Sequence, residues 1–366
     1  MKHVMVHAYL AHNLGDDLFV TMLCRRYPKI KFHFLADPSY KQTFQHLKNC
    51  RVYSENDFSV RKLNRLFEKA GISGGFWKLL VRRSHAVIHI GGSSFVQHYD
   101  DWSSFYEGDR YLAEKSKGLY LIGSNFGPFT DPGYLEAYRD LFRKYRGICL
   151  RDQNSYRLFS DIAHVSQAPD VVFGLDNTGI PKKKKVLIAP VYLENRTGKY
   201  DISGFHKAYI DFHLKVMTHL IRCGYQITLT GFCLPQGDGI TIQQLFDSLD
   251  PSQKSAVKCV LYDQNHSVFD IVREFADSEL VIGTRFHSVI LGLLSECRVL
   301  PVIYDLKTAN ILEDFHFPLH LQLSELADFS IDQLENTWIS LDKPTIERLR
   351  TEAEKQFQYT DRLLKR

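Results

Sequence analysis

The chain has 366 residues, 44% of them hydrophobic and 24% charged, which suits two globular domains with substantial apolar cores. A formal net charge of +4 is a small bias toward anionic ligands and excludes the strongly basic profile of a nucleic-acid binder. The seven cysteines form no CxxC pair and no Cys/His cluster at zinc spacing. Reduced thiols are therefore expected, and metal catalysis has no support in the sequence.

Residues 1–6 run directly into a strand without an apolar targeting region, and no apolar run nears the ~20 residues of a membrane span. The expected location is the cytoplasm, with peripheral association at the inner face of the plasma membrane left open. The first predicted strand covers 4–9 and leads to a turn at Asn13-Leu14-Gly15-Asp16-Asp17. A helix over 18–27 follows, closed by Pro28. Gly15 lets the backbone approach a ligand. Asp16 either caps the helix or holds and deprotonates a sugar hydroxyl. The turn lacks both the GK[ST] of a Walker loop and the GxGxxG spacing of a dinucleotide site.

Further strands are expected at 31–36, 51–53, 86–90, 119–123 and 147–152. Gly91-Gly92-Ser93-Ser94 and Gly123-Ser124-Asn125-Phe126-Gly127-Pro128 each follow a strand. Either could line a polar ligand with backbone N–H groups, hydroxyls and the Asn125 amide, or serve only as a tight turn. Arg151 stands at a strand end as a candidate second cation, or pairs with Asp152, which could also cap the helix that follows. Ala168-Pro169-Asp170 reads as a structural turn.

Ile180-Pro181-Lys182-Lys183-Lys184-Lys185 combines a proline with a charge run and reads as a solvated linker. It divides the chain into domains over 1–180 and 181–344, with a charged amphipathic helix over 345–366. The second half restarts the rhythm with strands at 186–192, 225–232, 257–262, 280–282 and 299–304, and helices such as 203–223. Strand, glycine turn and helix in repetition predict two α/β, Rossmann-like, doubly wound domains facing a cleft, with ligands at the carboxyl ends of the strands.

The most informative stretch is Leu280-Val281-Ile282-Gly283-Thr284-Arg285-Phe286-His287-Ser288. A buried strand ends in a turn, with Thr284 a competent N-cap, and Arg285 and His287 lie at the start of a helix. The helix N-terminus favours anions, and the arginine fork fits phosphate or carboxylate. Histidine adds a side chain suited to proton transfer near neutral pH. An extended backbone would point Arg285 and His287 the same way, with Phe286 facing inward. The competing reading pairs Arg285 with a structural carboxylate and makes His287 a partly buried, satisfied histidine.

In order, NLGDD, HIGGSSF, GSNFGPF, LRDQNS, APDVVF, IGTRFHSVILGL and VLPVIYDLK resemble the polysaccharide pyruvyl transferase family. The match runs over roughly residues 9–310. The resemblance implies a GT-B-like fold and transfer of the enolpyruvyl group of phosphoenolpyruvate onto a sugar as a cyclic ketal, with release of phosphate. It implies that Arg285 and His287 are the phosphoenolpyruvate-contacting arginine and the catalytic histidine, with Arg151 a further arginine at that ligand. Phe286, Asn13, Gly15, Asp16, Gly91, Gly92, Ser93 and Asn125 complete the expected binding set. No metal and no organic cofactor is expected. The partners are phosphoenolpyruvate and a sugar or lipid-linked oligosaccharide of a cell-surface or exopolysaccharide. Ser93 replaces a glycine common in the family, and Ala189-Pro190-Val191-Tyr192 lacks an arginine often found there, which bears on the acceptor. The alternatives are a GT-B glycosyltransferase using a nucleotide sugar, and a non-catalytic glycan-binding or assembly protein.

Overall fold

A computed structural model describes residues 2–197, 200–263, 265–317 and 320–365. The chain forms two compact units: residues 1–10, 16–171 and 352–366 make the first, and residues 11–15 and 172–351 the second. It therefore passes between units four times, at 10/11, 15/16, 171/172 and 351/352.

The first unit is built on strands β1 (His3–His7), β2 (Lys31–Leu35), β3 (Cys50–Tyr53), β4 (Ala86–Ile90), β5 (Leu119–Ser124), β6 (Gly147–Leu150) and β7 (Val165–Gln167). They form one parallel sheet in the order β3-β2-β1-β4-β5-β6-β7. The order reverses between β1 and β4, the position at which doubly wound sheets hold ligands. All five residues of β4 are buried, as expected for a strand covered on both faces. Val87, Leu119, Leu121 and Ile148 pack with Phe95, Tyr138 and Phe142 in the core.

The second unit repeats the plan with β8 (Lys183–Ala189), β9 (Gln226–Gly231), β10 (Val257–Leu261), β11 (Ser278–Gly283), β12 (Arg298–Ile303) and β13 (Leu321–Gln322), ordered β10-β9-β8-β11-β12-β13. Its core gathers Val186, Ile188, Leu229, Leu280, Ile282 and Leu300 around Tyr209 and Phe212. The expected doubly wound, GT-B-like class of two α/β domains is the fold observed in the two units.

The lysine run is not a linker. Lys183–Lys185 begins β8, with Lys185 paired to Glu274 at 3.1 Å and also to Asp277. Lys182 Nζ donates to the Ala276 carbonyl at 2.8 Å. Carboxylates and carbonyls about ninety residues away hold these ammonium groups, which local composition cannot reveal. The unit boundary accordingly falls at 171/172, before the proline and the lysines.

The C-terminal stretch is also no separate helix. It comprises helix Lys343–Ala353, a 3-10 turn Glu354–Phe357 and helix Gln358–Leu364, and from Glu352 onward it belongs to the first unit. Arg366 lies outside the described residues. The break buries Gln356, whose amide accepts from Gly123 N and donates to the carbonyls of Ala168 and Pro169 at 2.9, 2.8 and 3.1 Å. These bonds satisfy backbone groups where the sheet ends.

Candidate functional site

In the second unit, β11 ends at Gly283 and the helix Phe286–Leu294 begins three residues later. The N-cap is Arg285, in extended conformation at φ −71° and ψ 134°, rather than the expected Thr284. Thr284 is buried, and its hydroxyl bonds to the Tyr209 hydroxyl at 2.8 Å, which removes it from capping. Phe286 and His287 are already helical, so the expected extended alternation does not occur. The rings of Phe286 and His287 meet edge to face at 5.0 Å, and both side chains are buried.

Arg285 is gripped by side chains that follow β9: Gln236, at the end of the 3-10 turn Leu234–Gln236, and Asp238, the first residue of the helix Asp238–Asp247. Its Nε donates to Asp238 Oδ2 at 3.1 Å, its Nη2 to Asp238 Oδ1, and its Nη1 to Gln236 Oε1 at 2.5 Å. Asp238 is fully buried and also accepts from the backbone N–H groups of Phe232 and Cys233 at 3.0 and 2.9 Å. Burial opposes the charge on Arg285, but the Asp238 carboxylate more than offsets it and holds the guanidinium above its ordinary pKa. The carboxylate pairing weighed from sequence is thus present. It engages two of the five N–H donors a guanidinium carries, and Gln236 engages a third.

His287 is set by the turn near the N-terminus. A Cβ placed on Gly15 would fall 1.9 Å from His287 Nδ1, so only glycine lets that backbone lie against the imidazole. Residues 11–15 are anchored to the second unit by Leu14 N donating to the Phe232 carbonyl at 2.9 Å. Asn13 Oδ1 accepts from Gly15 N at 3.0 Å, in the capping position of the helix Leu14–Arg26. Asp16 lies inside the first turn of that helix, so the cap expected of Asp16 is made by Asn13. Asn13, Gly15, Arg285, Phe286 and His287 therefore share one unit.

The other expected residues gather in the first unit. Arg151 follows β6 and is buried, with Nη1 paired to the fully buried Asp170 at 3.0 Å. Its Nη2 donates to Asn125 Oδ1 at 2.5 Å and to Ser93 Oγ at 3.4 Å. A Cβ on Gly92 would come within 2.6 Å of Arg151 Nη1, and one on Gly91 within 3.8 Å of Asp16 Oδ1. Asp152 accepts from Ser155 N at 2.8 Å and caps the helix Gln153–Leu158. Arg151 takes its carboxylate from Asp170, a residue the sequence marked only as part of a turn.

Sequence reasoning missed Asp238, Gln236 and Asp170. The Gly237-Asp238-Gly239 loop was visible, but nothing local ties its aspartate to Arg285, 47 positions away. It also missed a cluster outside both arginine sites. His7, His89 and Asp109 offer ligand atoms that all lie within 4.8 Å of one another, against the expectation that no such residues stand at metal spacing.

A family model for polysaccharide pyruvyl transferases matches residues 13–305, most of the chain. The chain belongs to the polysaccharide pyruvyl transferase family. The match begins at Asn13 and takes in both arginine sites. The chain is similar to the amylovoran biosynthesis protein AmsJ of Erwinia amylovora, 24% identical over 276 residues. That alignment covers 69% of this chain and 64% of AmsJ, so the chain spans somewhat under two thirds of the length of that relative. Among solved structures, UDP-GlcNAc 2-epimerase from Neisseria meningitidis superposes with a TM-score of 0.54 at 12% identity, covering 100% of both chains. HepE of Anabaena superposes with a TM-score of 0.53 at 11% identity, covering 98% of this chain and 95% of HepE. At such identities these likenesses speak for the fold alone. No described helix is long and apolar enough to cross a membrane.

Proposed function

We propose that the chain transfers the enolpyruvyl group of phosphoenolpyruvate to a sugar of a cell-surface or exopolysaccharide, or of its lipid-linked precursor, as a cyclic ketal. The observation that carries this reading is the Arg285–His287 turn: a guanidinium N-cap and an imidazole held by Gly15, where a parallel strand gives way to a helix. Phosphoenolpyruvate brings a carboxylate and a phosphate. The guanidinium donors not engaged by Asp238 and Gln236, together with the first N–H groups of the helix, suit such oxygens. Because Asp238 already offsets much of the charge, Arg285 contributes directed hydrogen bonds more than net charge.

In the proposed reaction a sugar hydroxyl attacks the central carbon of phosphoenolpyruvate while the methylene carbon takes a proton from the His287 imidazolium. The imidazole then accepts the proton released by the hydroxyl. Phosphate departs with the C–O electron pair, aided by Arg285, and a second hydroxyl of the same sugar closes the ketal as its proton passes to the released phosphate. One phosphoenolpyruvate and one diol give one ketal and one phosphate. Arg151, with Ser93 and Asn125, provides a second polar site, suited to a further acidic or hydroxyl-bearing part of the substrates. The chemistry as written asks for no metal or organic cofactor.

The test is phosphate release from phosphoenolpyruvate with candidate acceptors, joined to mass spectrometry of the product glycan for the pyruvate ketal increment. Phosphate release together with the increment supports the reading. Thermal stabilisation by UDP or GDP sugars, with none by phosphoenolpyruvate, would favour a nucleotide-sugar glycosyltransferase instead. HepE and the epimerase, whose fold the chain shares, were solved with UDP-glucose and UDP-GlcNAc bound. Binding of phosphoenolpyruvate without turnover on any acceptor would point to a glycan-binding or assembly protein.

A further inference from the structure

His7 is the last residue of β1, and His89 is its neighbour in register on β4. They flank the reversal of strand order in the first sheet, with ring centroids 4.6 Å apart and set edge to face at 77°. Asp109 reaches them from the helix Ser103–Lys115, its Oδ1 3.7 Å from His89 Nδ1. His89 and Asp109 are buried, while His7 is half-buried.

The grouping is costly as it stands. Among the described residues no lysine or arginine pairs with Asp109, and His89 Nδ1 is a buried nitrogen with no hydrogen-bond partner. A carboxylate and lone-pair nitrogens out of water call for a cation or a donor among them. Neutral imidazoles with a carboxylate are a set that transition-metal ions bind.

We propose that His7, His89 and Asp109 form a binding site for a divalent first-row transition ion such as Zn²⁺. Metal–ligand distances near 2.0–2.2 Å in tetrahedral geometry put ligand atoms roughly 3.4 Å apart. The 3.7 Å between His89 Nδ1 and Asp109 Oδ1 closes to that value with a shift of a few tenths of an ångström. The third ligand must move further, since the bound on the whole set is 4.8 Å. His7 has that freedom at the half-buried end of its strand. The surroundings are those of a supported site. The Tyr138 hydroxyl donates to Asp109 Oδ2 at 2.9 Å, leaving Oδ1 turned toward His89, and Phe95 packs on the His89 ring at 5.2 Å. Three protein ligands leave one position of a four-coordinate ion for water or a small ligand. The ion would tie β1, β4 and the helix Ser103–Lys115 together, two residues before the Gly91-Gly92 turn. This inference stands apart from the transfer reaction.

The full chain, stripped with a chelator, is titrated with Zn²⁺ against a chromophoric competitor and, separately, with Co²⁺ while visible d–d absorption is followed. The expected result is uptake of about one ion per chain, with the intense Co²⁺ bands of a four-coordinate site. Zn²⁺ should also raise the melting temperature. Asp109→Asn, His89→Gln and His7→Gln should each weaken Zn²⁺ binding by more than about 100-fold and remove the Co²⁺ bands. Tyr138→Phe, which spares all three ligands, should weaken it by about 10–100-fold. A wild-type chain that takes up neither ion overturns the proposal, as does unchanged affinity in Asp109→Asn and His7→Gln. If the His89 or Asp109 variant fails to fold by circular dichroism, the wild-type titration together with His7→Gln and Tyr138→Phe decides.

Discussion

Each unit carries one buried arginine just past the carboxyl end of a parallel strand, and each arginine is paired with a fully buried aspartate: Arg151 with Asp170 in the first, Arg285 with Asp238 in the second. The surroundings differ. Arg151 is bonded to the neutral oxygens of Asn125 and Ser93. Arg285 caps a helix whose second residue is a histidine lodged against Gly15. The same means of holding a guanidinium in place thus meets two surroundings: neutral oxygens in one unit, and an imidazole at the start of a helix in the other. In the second unit the aspartate is itself fixed by two backbone N–H groups, so the direction of the Arg285 fork is set before any ligand arrives.

The sharpest way to break this comparison is His287→Ala. Under the proposed reaction it should cost about 10²–10⁴-fold in phosphate release, with circular dichroism unchanged. Turnover that survives would leave the second unit with no more chemistry than the first. Next come Arg285→Ala and Arg151→Ala. Each strips a buried aspartate of its cation, and denaturant unfolding should record a loss of about 3–5 kcal/mol for either. Equal losses would confirm the shared structural device, and kinetics would then separate them. Arg285→Lys should lower kcat, whereas Arg151→Lys should act mainly on KM, because lysine keeps the charge but not the fork.

A smaller effect is expected of Gly15→Ala. The added methyl must displace the imidazole, and a misplacement of about 1 Å can cost on the order of 10²-fold in kcat. Little change in substrate binding should accompany it, as isothermal titration with phosphoenolpyruvate would reveal. Ser93→Ala should be mildest, since it removes only the hydroxyl's long contacts to Arg151 at 3.4 Å and to Asn125 Oδ1 at 3.2 Å. A rise in KM for one substrate of roughly tenfold or less, worth up to about 1.5 kcal/mol, is the expected outcome of losing these weak hydroxyl contacts.

Much of this was legible in the sequence because it is written locally. Apolar runs such as Ala86–Ile90 followed by glycine turns announce buried parallel strands, and the turns and helix starts that follow them hold Gly15, Gly92, Asn125, Arg151, Arg285 and His287. What was not legible depends on partners distant along the chain. Asp238 looks like one acid in a glycine-rich loop until β9 and β11 bring it to Arg285. Lys183–Lys185 looks solvated until Glu274 and Asp277 appear beside β8. Thr284 looked like a cap until Tyr209 claimed its hydroxyl. His7, His89 and Asp109 come from two strands and a helix, so no spacing rule finds them.

The route of the backbone has a practical consequence. Residues 11–15 leave the first sheet to join the second unit, and residues 352–366 return to complete the first. Severing the chain at residue 171 would deprive His287 of Gly15 and Gly123 of Gln356 in a single stroke. Anyone building a chimera to change acceptor preference would need to transplant discontinuous pieces, because neither half survives as one uninterrupted stretch of sequence.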